Sequence, residues 1–490
     1  MVLRSLRMPP NFLLFLSALL LCGTTCACSG PSPIALTHLT VIDPTTSKVN
    51  PDFTVIVNRA QISAVGPSSS TQIPSGAKVI DGTGKFLIPG LVDMHIHLLG
   101  AGEPTGSRDF ILPLLLANGV TTVRDMGGEV KVLQQLRKEI SKGRRLGPQI
   151  FFTGPYLDGD PPYFQPSLVV RDEAEADGAV KLLKSEGVDF IKVQSRLEPG
   201  PYFAIARATR ENGMRYVGHV PDSISAAAAS DAGQASIEHL TGVLLACSSR
   251  EDELRARQLA PSQMGNSAEQ SSAQMRSWQG DLLDSYSPQK ATQLFQKFLA
   301  NHTAQTPTLP LLIHLAYLTP ETDLANDPRL KYIPGQLQKG WKQGRSAAFA
   351  NQSEPDFELR RKLAIRSLVL VKDMHDVGIQ IMAGTDSTAP NVLPGFGLHE
   401  DLHFMVVAGL TPMQALQTAT SVPAQFLNRA SQQGAIRVGQ RADLVLLDAD
   451  PLEDIQSTEK IQAVILNGQI LGRRDLDRLL VDAQQFAATH

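Results

Sequence analysis

His95 and His97 stand two residues apart at the end of Leu91-Val92-Asp93-Met94-His95-Ile96-His97, which follows the run Phe86-Leu87-Ile88-Pro89-Gly90. Alternate side chains of a β-strand share a face, so both imidazoles are expected to point the same way. Two imidazoles on one face at a strand's end make half of a metal site. A strand that merely ends in polar residues beside a turn would look the same, and one His-x-His does not separate the two readings. Four residues downstream do. They are Lys192 in Asp189-Phe190-Ile191-Lys192-Val193, His219 in Tyr216-Val217-Gly218-His219, His239 in Ser236-Ile237-Glu238-His239, and Asp386 in Met382-Ala383-Gly384-Thr385-Asp386. Four imidazoles and a carboxylate gathered on one rim are costly as packing. Metal coordination offsets that cost.

Lys192 lies inside an apolar strand, where a free ammonium is expensive to bury. As an ammonium it cannot ligate a cation. Desolvation lowers a lysine's pKa and makes it nucleophilic, and carboxylation by CO₂ would turn it into a bridging carboxylate. Three residues are weaker candidates for substrate contact. Tyr156 and Tyr163 lie in a Gly- and Pro-bearing loop over residues 155–166, where an exposed turn is the alternative. His399, in Gly397-Leu398-His399-Glu400, either touches substrate or caps the next helix. The adjacent Arg124-Asp125 either orients the metal ligands or forms an internal ion pair, and the ion pair is the favoured reading.

The elements that position these residues follow a repeating pattern. Eight strands are expected at 91–97, 120–126, 149–153, 188–194, 215–220, 235–240, 306–309 and 379–385, with helical patterns between them, as at 129–142, 173–186 and 202–212. Alternating β and α units argue for a parallel sheet, and eight of them argue for closure into a (β/α)₈ TIM barrel over residues 89–431. An open doubly wound sheet is the alternative, but no Gly-rich phosphate loop follows the first strand. A polar helical insertion is expected at about 248–299, anchored by Trp278, Phe295 and Phe298, and residues 320–366 extend the next connection. Residues 34–88 and 432–475 are short and strand-like at both ends of the chain. Neither piece has strands enough to bury a face alone, so the two are expected to pair into one small β-sandwich.

The chain has 490 residues, 42% hydrophobic and 19% charged, with a formal net charge of −3. That is the composition of a globular protein, and the absence of a long basic block argues against a nucleic-acid partner. Arg4 and Arg7 precede an apolar run at 12–21, which reads as an export signal over residues 1–28, too short to span a bilayer comfortably. Cleavage near Ala27 would leave Cys28 first, as in a lipid-anchored protein, although Cys26 stands where a small residue is expected. Ordinary secretion is the equal alternative, so the expected location is periplasmic, secreted or lipid-anchored in the bacterial envelope. Cys22, Cys26 and Cys28 fall in this leader, and Cys247 alone remains in the body, which rules out a disulfide framework there.

With these residues in place, the chain resembles the amidohydrolase superfamily, in particular its binuclear members related to imidazolonepropionase and to Xaa-Pro dipeptidases. The resemblance spans about residues 34–473. It rests on Pro89–His97 as quoted above, Ile191-Lys192-Val193, Gly218-His219-Val220-Pro221, Ser236-Ile237-Glu238-His239 and Ala383-Gly384-Thr385-Asp386. Ala408-Gly409-Leu410-Thr411-Pro412 and Gly439-Gln440-Arg441-Ala442-Asp443-Leu444 add to it. It implies His95, His97 and Asp386 on one metal, His219 and His239 on a second, and N6-carboxylated Lys192 bridging them. Two zinc ions are the usual content, and the ligand set also accepts other divalent metals. The implied activity is hydrolysis of a C–N amide bond in a dipeptide, N-acyl amino acid or cyclic amide by a metal-bridging hydroxide, with Asp386 shuttling the proton. Such a chain would act on a small molecule, and homo-oligomers are ordinary among its relatives. Lactone or phosphoester hydrolysis or deamination on the same metals is the second reading, and Lys192 weighs against deamination. A non-catalytic envelope binding protein is the third; loss of a ligand residue would be its sign, and every ligand residue is present.

Overall fold

A computed structural model describes residues 32–98, 106–260, 268–319 and 326–490. The leader at 1–28, with Cys22, Cys26 and Cys28, lies outside the described residues. Among the described residues no helix is long and apolar enough to cross a membrane.

The two ends of the chain meet in one sheet. Ile34–Asp43 pairs antiparallel with Lys48–Asn58, which pairs antiparallel with Gln61–Pro67. Phe86–Pro89 runs beside Ile34–Asp43 and, on its other edge, antiparallel to Leu444–Leu447, with Leu444 opposite Pro89 and Leu447 opposite Phe86. Ile461–Leu466 and Gln469–Gly472 complete that side, and Lys78–Asp81 joins Ile34–Asp43 in parallel. Strand periodicity divides the side chains between two cores. Leu87, Leu444, Leu446 and Ile465 pack into a small core of the sheet's own, while Ile88, Val445, Leu447 and Val464 join the large core of the body. The expected pairing of the ends therefore forms, but as a single eight-stranded sheet rather than a two-sheet sandwich. One face of that sheet has the helical body to cover it, so a second sheet is not needed.

The body between is α/β. Leu91–Ile96, Val120–Asp125 and Gln149–Phe152 form a three-stranded parallel sheet. A six-stranded parallel sheet runs in the order Ser167–Val169, Tyr156–Asp158, Ile191–Val193, Tyr216–Gly218, Ser236–Glu238, Ala304–Thr306. Backbone contacts join the two sheets at both edges. Asp189 N donates to Phe152 O at 2.9 Å. On the other side Ile381 bridges Gln305 and Ser387 bridges Ile96, both in parallel, and Met94 N donates to Ala383 O at 2.9 Å.

Two strand expectations need correction. The seventh strand is Ala304–Thr306, not 306–309, because Pro307 has no N–H to extend the ladder and Leu309–Tyr317 is already helix. The eighth, at 379–385, forms one isolated bridge, at Ile381, instead of a ladder. The loop expected at 155–166 also contains a strand, Tyr156–Asp158, paired with Ser167–Val169. The insertion is helical as expected: Glu251–Leu259, Ala268–Asp284 and Pro288–Ala300. Trp278 Nε1 donates to Leu254 O at 2.9 Å, and Phe295 and Phe298 are buried. The 320–366 connection carries Gly335–Phe349 and the start of the long helix Glu354–Asp376.

Candidate metal centre

The strand ends bring His95, His97, Lys192, His219, His239 and Asp386 to one rim. Ring centroids of His95 and His239 are 4.5 Å apart, those of His219 and His239 5.0 Å, and those of His95 and His97 5.5 Å. His95 Nε2 lies 3.3 Å and His97 Nε2 3.0 Å from the same Asp386 Oδ1. Lys192 Nζ lies 3.4 Å from His95 Nε2. One ligand atom each from His95, His97 and Asp386 falls within 4.8 Å of the others, a grouping able to hold a metal ion. The other three residues face the same cavity of about 860 Å³.

Local backbone explains why these side chains reach inward. His239 and Asp386 both adopt positive φ, 57° and 61°, at the point where each chain leaves the sheet. Such conformations cost roughly 1–3 kcal/mol for a residue with a Cβ and cluster at functional sites. Gly218 precedes His219 at φ 124°, and a Cβ there would sit 2.3 Å from Val193 O. Gly384 lies against His95 so closely that a Cβ would come within 2.6 Å of Thr306 Cγ2 and 2.9 Å of His95 N. Asp93 ties the first strand to the Asp386 segment by accepting from Thr385 Oγ1 at 2.7 Å and from Thr385 N and His95 N. Burial pushes its carboxyl up to about 7.

The outward nitrogen of each imidazole has an oxygen partner. Glu238 Oε2 accepts from His95 Nδ1 at 2.8 Å, and neither side chain is exposed. Ser195 Oγ lies 2.9 Å from His219 Nδ1 and itself donates to Gln194 Oε1 at 3.0 Å. Thr308 Oγ1 lies 2.7 Å from His239 Nδ1 and donates to Pro307 O. Both hydroxyls have used their hydrogens, so both accept from the imidazole and fix its Nδ1–H tautomer. His97 Nδ1 lies 3.4 Å from Gly127 O and 3.5 Å from the Tyr156 hydroxyl. The Nε2 lone pairs of His95, His219 and His239 are thereby left for the rim. Nitrogen and carboxylate donors held this way suit a divalent cation of the zinc type, and the residues fit such an ion.

Electrostatics agree with this arrangement. Burial, reinforced by Lys192, holds His95 well below the ordinary imidazole range; burial does the same to His219 and brings His239 to about 4. These rings are neutral near pH 7. Burial also pulls Lys192 down to about 8, against the opposing pull of Asp386 and Glu238. For Asp386 burial acts upward, but His239, His97 and Lys192 outweigh it and keep the carboxylate below its usual range. His97 is raised: burial opposes its charge, and the Asp386 carboxylate overcomes that.

Residues beyond the rim divide differently from the sequence reading. Tyr156 is buried and lines the cavity, with Lys192 Nζ 4.8 Å from its ring centre. Tyr163 lines the mouth and is half exposed. His399 does not line the cavity. It is neither cap nor contact but buried within Phe396–Val407, with Nδ1 2.9 Å from Thr458 Oγ1. Arg124 does not pair with Asp125: neighbouring strand residues face opposite ways, so Arg124 donates to Glu238 at 2.9 Å while Asp125 accepts from Leu98 N. Sequence reasoning gave no role to Glu238, Ser195 or Thr308. Only the adjacency of Glu238 to His239 hinted at one. It also left open which face the two long connections occupy. Gln258 from the insertion and Leu337 and Trp341 from the following helix line the cavity, so both lie over the rim.

The parallel α/β body thus carries imidazoles, a lysine and an aspartate together at its strand ends. Residues 344–471 match the model of the Amidohydrolase family. It is 36% identical over 137 residues to the imidazolonepropionase of Idiomarina loihiensis, an alignment covering 20% of this chain and 34% of that protein, so the chain spans about a third of that relative's length. Three solved structures share the fold more fully. A prolidase candidate from Bifidobacterium longum has TM-score 0.64 at 25% identity, covering 92% of this chain and 99% of that one. The bottromycin amidohydrolase AH has TM-score 0.70 at 22% identity, covering 94% and 91%. A Xaa-Pro dipeptidase solved with methionine in its active site has TM-score 0.62 at 19% identity, covering 90% and 100%.

Proposed function

We propose that this chain hydrolyses a C–N amide bond of a small molecule (a dipeptide or N-acyl amino acid before a cyclic amide) at a pair of divalent metal ions, zinc by preference. The observation that carries the reading is the common rim: four imidazoles, three with Nε2 freed by an anchored Nδ1, one carboxylate and one buried amine. In this reading His95, His97 and Asp386 hold one ion, His219 and His239 the other. Ions held there would supply Lewis acidity, lowering the pKa of a bound water from about 15.7 towards neutrality and polarising a carbonyl.

Lys192 would supply the bridge. Its pKa of about 8 leaves a fraction of neutral amine near pH 7. Nζ then attacks CO₂, a proton leaves, and a carbamate carrying two oxygen donors replaces the ammonium. Asp386 is the proton carrier: its carboxylate would take the proton of the attacking water and return it to the departing nitrogen. One water is consumed, the C–N bond breaks, and a carboxylic acid and an amine result. Tyr156 closes the wall beside Lys192 and excludes water from it. Relatives named for prolidase and amide-hydrolase activity support the choice of bond.

Three further expectations belong to the same reading. The two parallel sheets, joined at Phe152–Asp189 and through residues 381–387, close as one (β/α)₈ barrel over residues 89–431, with 34–88 and 432–475 as the β domain. Residues 1–28 direct export, with Cys28 as the point of lipid attachment if the leader is cleaved before it. The test of function is a hydrolysis panel of dipeptides, N-acyl amino acids and cyclic amides, run with and without chelator. Turnover that chelator abolishes and added zinc restores is expected. Turnover indifferent to chelator would refute the reading.

A further inference from the structure

A second cavity adjoins the catalytic one. It holds about 590 Å³ and is lined mainly by Leu312, Leu315, Ala316, Phe349, Leu363 and Ala364. Leu315 and Pro390 line both cavities, so the two adjoin. The junction lies four residues beyond Asp386, and Thr388 and Ala389 line the catalytic cavity on the same side. Gln194, Ser195, Asp222 and Gln258 are polar parts of the catalytic cavity's wall, with Ser195 Oγ 2.9 Å from His219 Nδ1. Each of the two cations lining the second cavity has a partner. Arg345 donates to Asn391 Oδ1 at 3.1 Å, and the Arg360 guanidinium lies 4.5 Å from the centre of the Phe349 ring. The walls thus offer apolar surface in a pocket too large for a dipeptide's needs alone, since the catalytic cavity already holds about 860 Å³.

We infer that this second cavity is a subsite for a long or bulky apolar group carried on the amine half of the amide. The inference rests on the amide-hydrolase reading given above. The orientation follows from Asp386: the group that returns the proton faces the departing nitrogen, and the apolar cavity lies on the Asp386 side. The preferred substrate is therefore an N-acyl derivative of a lipophilic amine or amino acid, with the acyl half towards His219. Apolar burial makes each methylene that enters such a pocket worth about fourfold in binding.

Three N-acetyl amino acids of rising side-chain length test this: glycine, norleucine and 2-aminodecanoic acid. N-octanoylglycine carries the same length on the acyl half. The expected result is a kcat/KM at least about tenfold higher for N-acetyl-2-aminodecanoate than for N-acetylglycine, with no comparable gain for N-octanoylglycine. Gly344 lines the second cavity on the helix Gly335–Phe349, and a Cβ there meets nothing within 4 Å. Gly344 therefore accepts a Cβ, and Gly344→Trp places an indole at this wall of the cavity. It should lower the ratio of long to short N-acetyl substrates about tenfold, and the relative affinity for free 2-aminodecanoate over glycine likewise, a binding readout that needs no turnover. Hydrolysis of N-acetylglycine with no gain from side-chain length, or a gain confined to N-octanoylglycine, would overturn this inference and leave the amide reading intact. An unchanged ratio in Gly344→Trp would overturn it equally. Failure to cleave any amide of the panel would overturn both.

Discussion

Glu238 Oε2 lies 2.8 Å from His95 Nδ1 with neither side chain exposed, and Arg124 closes the other side of the same carboxylate at 2.9 Å. Arg124 also donates to Met94 O at 2.6 Å, next to His95 in the strand. A buried arginine, a carboxylate and an imidazole in series fix the ring's tautomer and orientation. Partners of this kind typically govern metal affinity by 10- to 100-fold. Glu238→Gln keeps the shape and removes the charge, so metal affinity should fall by about that factor. Glu238→Ala should also destabilise the fold by roughly 3–5 kcal/mol, because it leaves Arg124 buried and unpaired. Metal titration and urea unfolding check the two effects separately.

Lys192→Ala should cost at least one metal per chain, with partial rescue by short carboxylic acids that replace the bridging oxygens. In the intact chain only the neutral amine reacts with CO₂. Its pKa of about 8 sets the sign: carboxylation of metal-free protein in bicarbonate should increase as pH rises from 7 through 8. Native mass spectrometry reads it as the mass of one added CO₂. No pH dependence over that window would contradict the assignment.

Asp386→Asn preserves an oxygen 3.0 Å from His97 Nε2 but removes the proton acceptor. Metal content should stay and kcat should fall by about 10²–10⁴. Turnover equal to that of the unmodified chain would exclude the proton-carrier role.

How far these features were legible depends on the reach of each signal. His95, Lys192, His219, His239 and Asp386 each stand in or just beyond a short apolar run, which local pattern reveals. So does the pairing of Phe86–Pro89 with Leu444–Leu447, since neither end could bury a face alone. Glu238 stayed hidden because its partners His95 and Arg124 are 143 and 114 residues away. Ser195 and Thr308 are ordinary hydroxyls until the fold sets them against His219 and His239. His399 misled for the converse reason: it is close to Asp386 in sequence, but the face of Phe396–Val407 that carries it packs on Thr458, and helix periodicity alone does not say which face meets the cavity.

His399 supplies an acid-stability prediction. Burial holds it at about 4 in the fold, against about 6.5 for a free imidazole. A depressed histidine contributes nothing above pH 6.5, where both states are neutral. As pH falls from there towards 4 the unfolded chain alone takes up the proton, so stability is lost, by roughly 3 kcal/mol at most. His399→Leu should leave kcat/KM intact and reduce the loss between pH 7 and 5. Urea unfolding of metal-free protein at those two pH values checks it.

The most direct test of the six-residue metal centre is the number of divalent ions bound per chain, measured by elemental analysis after reconstitution. The intact chain should hold two, and His95→Ala and His219→Ala should each hold fewer. A chain that binds none, or one whose content is the same in all three proteins, would contradict the account.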